Sequence, residues 1–301
     1  MRISTKADVL VKAFGMETAL KMIAASGFDH ADLSLFGMAK GLENPFLQDN
    51  YGDYAKAVRA MAEDNGISFN QSHAPYNMDM NGYLDGGEAR EDVLWRICRA
   101  IEVAGIVGAK NIVVHPVHCM DYCDQDPQAL LDLNRDFYAR LIPTARDAGV
   151  NIAIENMWQR HKYSKAIATD VCSSPYELAQ YVDACNDLEN CFVACLDVGH
   201  CLLTGHDPAH AVHILGDRLQ TLHVHDVDGK SDLHTCPLTQ SVDYYAVMKA
   251  LRQIGYAGEL TLEADCFLTK FRPEFYGEAL QFMQKVSRHL CQVFEEKDAE
   301  L

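Results

Sequence analysis

The stretch "CLDVGH" (195–200) sets an acid, Asp197, three residues before an imidazole, His200, where a short apolar run stops. The same ending recurs along the chain. Apolar runs close at His73, at His115 and at Glu155. Another carries His223, then His225 and Asp226, and the last closes at Glu263, followed by Asp265. One buried acid or histidine at such a place is ordinarily structural. Six in succession are harder to accommodate, because converging carboxylates raise one another's pKa unless a cation compensates them. Mixed carboxylate and imidazole donors suit zinc or manganese, with cobalt, magnesium or iron as alternatives, better than calcium. The most compact set is Glu155, Asp197, His223 and Glu263, four ligands that would hold one divalent ion and leave room for substrate oxygens. His73 and His115 come from neighbouring runs, and Glu155 is placed to bridge toward them. Asp232 and His234 in "SDLHT" (231–235), with His200, offer a third group.

These residues meet only if the runs that carry them lie side by side. The strand candidates are "RIST" (2–5), "ADLSL" (31–35), "ISFNQSHA" (67–74), "NIVVHP" (111–116), "NIAIEN" (151–156), "FVACLDVGH" (192–200), "LQTLHVHD" (219–226) and "ELTLEAD" (259–265). Their nearly continuous apolar character is that of strands buried on both faces of a parallel sheet. The spacing between them predicts helices over 54–66, 93–108, 130–149, 173–185 and 242–255, with 282–294 as a closing helix. Ser174, Pro175 and Glu177 read as a capping box with proline at the first helical position. Eight strand–helix units in 301 residues predict a single α/β domain over 1–301, a (β/α)8 barrel with its chemistry at the C-terminal ends of the strands. A doubly wound open sheet is the alternative, although no GxGxxG follows the first run.

The formal net charge of −17 opposes a nucleic-acid partner, whose binding rests on basic residues neutralising phosphates. The 11 cysteines include no CxxC pair. Cys119 with Cys123 and Cys191 with Cys195 are spaced CxxxC, a weak zinc signal, and reduced thiols of a cytoplasmic protein are the simpler reading. No apolar leader and no run of about 20 apolar residues is present, so no membrane partner is expected.

The segments "SHAPY" (72–76), "NIVVHP" (111–116), "IAIEN" (152–156), "LDVGH" (196–200), "LHVHD" (222–226) and "GYAGELTLE" (255–263) occur in an order that resembles the xylose-isomerase-like TIM-barrel superfamily. That superfamily holds sugar and sugar-phosphate isomerases and epimerases and the endonuclease IV type of AP endonuclease. The resemblance implies that Glu155, Asp197, His223 and Glu263 bind the metal and that Glu155 and Glu263 also act as acid/base residues. It implies substrate contact at His200. The endonuclease branch uses three zinc ions, and its further ligands would map onto His73, His115, His200, Asp232 and His234. Two features count against DNA repair: the charge, and an N-terminal region of the isomerase type. The segment "HTCPLTQSVDY" (234–244) departs from the "LGxG" usual after the seventh strand.

The activity expected is proton abstraction next to a carbonyl, through a metal-stabilised enediolate, on a small carbohydrate. A multinuclear zinc phosphodiesterase, or a dehydratase of a keto-polyol, is the alternative. Weaker substrate contacts are Trp158, His161 and Lys162, with Arg160 and Lys165 in the same stretch as a candidate phosphate-greeting lid. Phe36 is a candidate wall for the sugar's apolar face, and His118 and Cys119 stand near the fourth run. His206, His210 and His213 read as helix surface. A homo-oligomer is compatible with all of this.

Overall fold

A computed structural model of the chain describes residues 1–76, 78, 80–118 and 125–296. Eight strands run parallel in one sheet: β1 (Ile3–Lys6), β2 (His30–Ser34), β3 (Ser68–His73), β4 (Asn111–Val113), β5 (Asn151–Glu155), β8 (Phe192–Asp197), β9 (Leu219–His223) and β10 (Leu260–Leu262). A short antiparallel hairpin, β6 (Trp158–Arg160) with β7 (Ile167–Thr169), stands apart from them. The sheet order is β10-β1-β2-β3-β4-β5-β8-β9. A parallel bridge between Val224 and Leu262 joins the two ends. The sheet therefore closes, and the fold is a (β/α)8 barrel rather than the open doubly wound sheet.

Helices return the chain between strands. Two of them end on glycines in the left-handed region, Gly108 (φ 87°) and Gly149 (φ 66°), immediately before β4 and β5. These caps stop the helix within two or three residues of the strand start and so set the strand register. Apolar residues such as Ile3, Ala31, Ile112, Ile152 and Leu196 pack outward into the main core against the helices. Inside the barrel the space is small. Val113, Ala153 and Cys195 form a separate apolar cluster there, beside a buried chain of hydrogen bonds from Ser4 to Asn70 (2.7 Å) and from Asn70 to Thr261 (2.9 Å).

Several elements differ from the sequence expectation. The helical stretch 130–149 is two helices, Pro127–Ala139 and Ile142–Ala148, because Pro143 has no N–H with which to continue the first. Ser174 does stand at the start of helix Pro175–Asn186, but its side chain makes no capping hydrogen bond. The first strand runs one residue further than "RIST" and so ends on Lys6. The run at 192–200 leaves the sheet at Asp197, whose carboxylate accepts from His200 N (2.6 Å) and caps helix Val198–Leu203. That cap is one reason an acid and a histidine stand three residues apart in "CLDVGH".

Candidate active site

Glu155, Asp197, His223 and Glu263 all lie at the C-terminal rim, and each places a potential ligand atom within 4.8 Å of the others. His223 Nδ1 is 2.8 Å from Glu155 Oε1 and 3.0 Å from Glu263 Oε2. Ligands about 2.1 Å from one ion stand roughly 3–3.5 Å apart, so this spacing is that of a shared coordination sphere. Nδ1 carries at most one hydrogen, and one hydrogen cannot serve both carboxylates.

Two further groups flank this centre. The other oxygen of Glu155, Oε2, faces His115 Nε2 (2.9 Å) and His73 Nε2 (3.5 Å), yet it is buried without a well-aligned hydrogen bond. On the other side, Asp232 Oδ2 faces His234 Nε2 (3.0 Å) and His200 Nε2 (3.7 Å), with His225 completing the group. Three of these histidines are tethered the same way. Nδ1 of His73 meets Ala74 O (2.8 Å), Nδ1 of His200 meets Asn156 O (3.0 Å) and Nδ1 of His234 meets Glu263 O (2.9 Å). A carbonyl only accepts, so the hydrogen sits on Nδ1 and Nε2 is aimed at a carboxylate. Such an arrangement needs a proton or a metal at every Nε2. The donor set, with its orphaned Glu155 oxygen, fits divalent metal.

The loop after β9 is held by Asp226. Its carboxylate accepts from the backbone N–H of Val227, Thr239, Gln240 and Val242 at 2.8–3.0 Å. The segment thereby folds back over the rim without an LGxG sequence, carrying Asp232 and His234. His234 adopts φ 41°, a conformation that costs a non-glycine residue about 1 kcal/mol. Its hydrogen bonds to Glu263 O and Asp232 offset that cost.

The protein's own groups polarise one another strongly. Burial raises the pKa of Glu155, but His223 and His115 outweigh it and hold the carboxyl well below the usual range. Glu263 is likewise held down, against its burial, by His223 and Lys6. Burial lowers the His200 pKa, but Asp197, Asp232 and Glu155 reverse this and lift it to about 9. Burial lowers the His234 pKa too, but Asp232 and Glu263 outweigh it and lift it to about 10. Glu155 and Glu263 are thus biased toward the ionised form that accepts a cation.

The groups open into a cavity of about 820 Å³. His73, His115, Glu155, His200, Asp232, His234 and Glu263 line it, and so do Trp158 and Phe36. Trp158 Nε1 donates to Asp232 Oδ2 (3.2 Å), and Phe36 packs edge-on against His73. His161 and Lys162 are not brought to the site. The β6–β7 hairpin carries them into solvent, with Arg160 and Lys165, and none of the four lines the cavity. His118 lines it and pairs with Asp170 (3.2 Å) rather than with the three ligand groups. Cys119 and Cys123 lie outside the described residues; Cys191 and Cys195 are free thiols. His210 and His213 are exposed on helix Pro208–Leu215.

A family model described as "Xylose isomerase-like TIM barrel" matches residues 20–286. The chain belongs to the xylose isomerase-like TIM-barrel family. Over 194 residues it is 26% identical to an uncharacterized protein of Methanocaldococcus jannaschii, spanning 64% of this chain and 62% of that protein. Among solved structures it is similar to a D-tagatose 3-epimerase-like protein (TM-score 0.75, 20% identity, 99% of this chain and 100% of the other). It is also similar to a D-psicose 3-epimerase crystallised with D-fructose (0.72, 14%, 96% and 99%). A third is the 3-keto-D-glucoside 4-epimerase of E. coli (0.69, 18%, 95% and 99%). At these identities the likeness to solved structures is one of fold.

Within this xylose isomerase-like barrel, sequence reasoning passed over several residues of the site. Lys6 is buried at the end of β1, with Nζ 3.0 Å from Glu263 Oε1 and 4.5 Å from the centre of the Phe36 ring. The rule that polar residues end the strands would have found it had the run been extended by one residue. His225 follows two residues after His223, and the sequence assigns it no role. Its Nε2 stands 3.0 Å from both oxygens of Asp197, and its ring stacks on His234 at 4.0 Å. Gly199 leaves room for it, since a Cβ there would overlap the imidazole, 2.6 Å from Nε2 and 2.7 Å from Nδ1. The ring is fixed on both sides and cannot retreat. Gly199→Ala is therefore expected to destabilise the fold by about 1–3 kcal/mol. Thermal unfolding checks this, and a melting temperature within 1 °C of wild type contradicts it.

Proposed function

We propose that the protein is a divalent-metal-dependent isomerase or epimerase of a small sugar or sugar phosphate, with zinc or manganese as the preferred ion. One observation carries the reading: Glu155, the last residue of β5, and Glu263, the residue after β10, converge on the same nitrogen of His223 while both line one cavity. The structural likeness to a D-psicose 3-epimerase, a 3-keto-D-glucoside 4-epimerase and a D-tagatose 3-epimerase-like protein supports the reaction class. Glu155, Asp197, His223 and Glu263 would hold the ion. When bound, it supplies positive charge that stabilises the negative charge developing on the substrate carbonyl.

The proton transfers belong to the glutamates. One takes the proton from the carbon beside the carbonyl onto a carboxylate oxygen. For inversion the other, having taken a proton from solvent, delivers it from the opposite face while the first gives its own up to water; for aldose–ketose exchange the first returns its proton at the adjacent carbon. Trp158 and Phe36 wall the cavity and exclude water from the charged rim. The reading takes residues 1–301 as one barrel domain, working in the cytoplasm. Among the described residues, no helix is long and apolar enough to cross a membrane.

The test is deuterium incorporation from D₂O. Metal-loaded protein is incubated with D-tagatose, D-psicose, D-fructose, L-ribulose, their phosphates and inosose-like polyols. Deuterium beside the carbonyl is expected in at least one. Incorporation into none of them sinks the reading.

The groups His73–His115–Glu155 and His200–His225–Asp232–His234 favour a second reading, a phosphodiester hydrolase with three zinc ions. Elemental analysis separates the two. One ion per chain supports the isomerase, whereas three ions with nicking of abasic DNA support the hydrolase. The net charge of −17 weighs against the hydrolase.

A further inference from the structure

We propose that Asp32 is a positioning residue that selects the metal-binding tautomer of His223. The proposal rests on the reading of His223 as a metal ligand. Both residues are buried, and each holds an orphaned atom, Nε2 of His223 and Oδ1 of Asp32. His223 Nε2 lies 4.0 Å from Asp32 Oδ2, across the barrel from β9 to β2. A shift of about 1 Å closes this gap to a hydrogen bond. On its other side the ring presents Nδ1 to Glu155 and Glu263.

A neutral imidazole carries one hydrogen, and its place decides whether the site is open. With the hydrogen on Nδ1, the ring donates to a glutamate and no lone pair is left for an ion. With the hydrogen on Nε2, the Nδ1 lone pair faces the shared centre. Asp32 favours the second state, because a carboxylate accepts and cannot donate.

The surroundings keep Asp32 in that role. Thr221 donates its hydroxyl to Gln71 Oε1. This fixes the Gln71 amide so that Nε2 donates to Asp32 Oδ2 (2.9 Å) and faces Leu222 O (3.5 Å). A flipped amide would set its oxygen against that carbonyl and against Asp32 Oδ2. Oδ2 is also the Asp32 atom nearest His223 Nε2, so an asparagine at 32 that keeps its oxygen toward Gln71 still presents an acceptor to the imidazole. Adding Gln71→Glu reverses this. A glutamate at 71 accepts the asparagine NH₂, which then takes the place of Oδ2 and faces His223 Nε2, making Nε2 an acceptor and moving the hydrogen to Nδ1, at unchanged total charge.

The experiment uses the full chain with Zn²⁺ or Mn²⁺ as the probe. Imidazole ¹⁵N spectra of the Zn²⁺-loaded wild type are expected to show the His223 hydrogen on Nε2. Asp32→Asn/Gln71→Glu is expected to weaken Zn²⁺ and Mn²⁺ binding 10–100-fold, the usual effect of losing such a partner. Asp32→Asn, which keeps an oxygen toward Nε2, is expected to bind both ions at least threefold more tightly than the double variant. A bare Nε2 in the loaded wild type overturns the role of Asp32 alone, as does Asp32→Asn/Gln71→Glu binding within twofold of wild type. A wild type that binds neither ion overturns the metal reading, and this role with it. If the double variant does not fold, Asp32→Leu, which offers Nε2 no acceptor, takes its place with the same expected loss.

Discussion

Glu155→Gln is expected to lower proton exchange on the true substrate by about 10³-fold or more. Two losses combine. A positioned acid/base group contributes about 10²–10⁴-fold, and an amide oxygen does not take up a proton at neutral pH. Glu155 also serves two sides, with Oε1 toward His223 and Oε2 toward His115 and His73. A glutamine keeps one oxygen and substitutes an NH₂ for the other. Whichever way it turns, a donor faces an imidazole nitrogen that should bind an ion. Loss of bound metal should therefore accompany loss of rate. The check is single-turnover exchange in D₂O, with metal content measured on the same sample. Since the substitution is nearly isosteric, the circular dichroism spectrum should stay that of wild type. Exchange within tenfold of wild type would remove Glu155 from the chemistry.

Chelation should act as strongly on activity and also reach stability. Glu155, Asp197 and Glu263 are all buried around His223, and Asp232 is largely buried beside them. Without a cation, protonated imidazoles and Lys6 alone must compensate these acids. An ion present at about 100 times its Kd stabilises the native state by about 2.7 kcal/mol. For a chain of this size that corresponds to about 5 °C in melting temperature. Removing metal with EDTA should therefore lower the melting temperature by about that amount and reduce turnover to under about 1%. Adding back Mn²⁺, Co²⁺ or Zn²⁺ should restore both. Dialysed protein that contains no metal, yet keeps its rate and its melting temperature, would contradict the metal reading.

His73, His115, Glu155, Asp197, His223 and Glu263 were legible before any coordinates because they share one position, the C-terminal end of an apolar run. In a parallel barrel that position maps onto a single rim. Asp232 and His234 were legible as a pair, but not the means of holding them, since the role of Asp226 depends on backbone N–H groups up to 16 residues away. Lys6 escaped because a run ending "RIST" and one ending "ISTK" differ by one residue, and only pairing with β2 and β10 fixes where the strand stops. His161 and Lys162 were placed near substrate by sequence proximity to Glu155. The hairpin turns them outward, and no local pattern marks that direction.

Residue type and order along the chain determined the barrel and the candidate ligand set, because burial periodicity and strand ends are local properties. Only the closed sheet decided which oxygen of Glu155 faces which histidine, that Lys6 meets Glu263, and that Asp32 looks across the barrel at His223. Those contacts join residues 68, 257 and 191 positions apart in the chain. Such separations leave no periodic trace, and side-chain direction inside a barrel is set by the packing of all eight strands together.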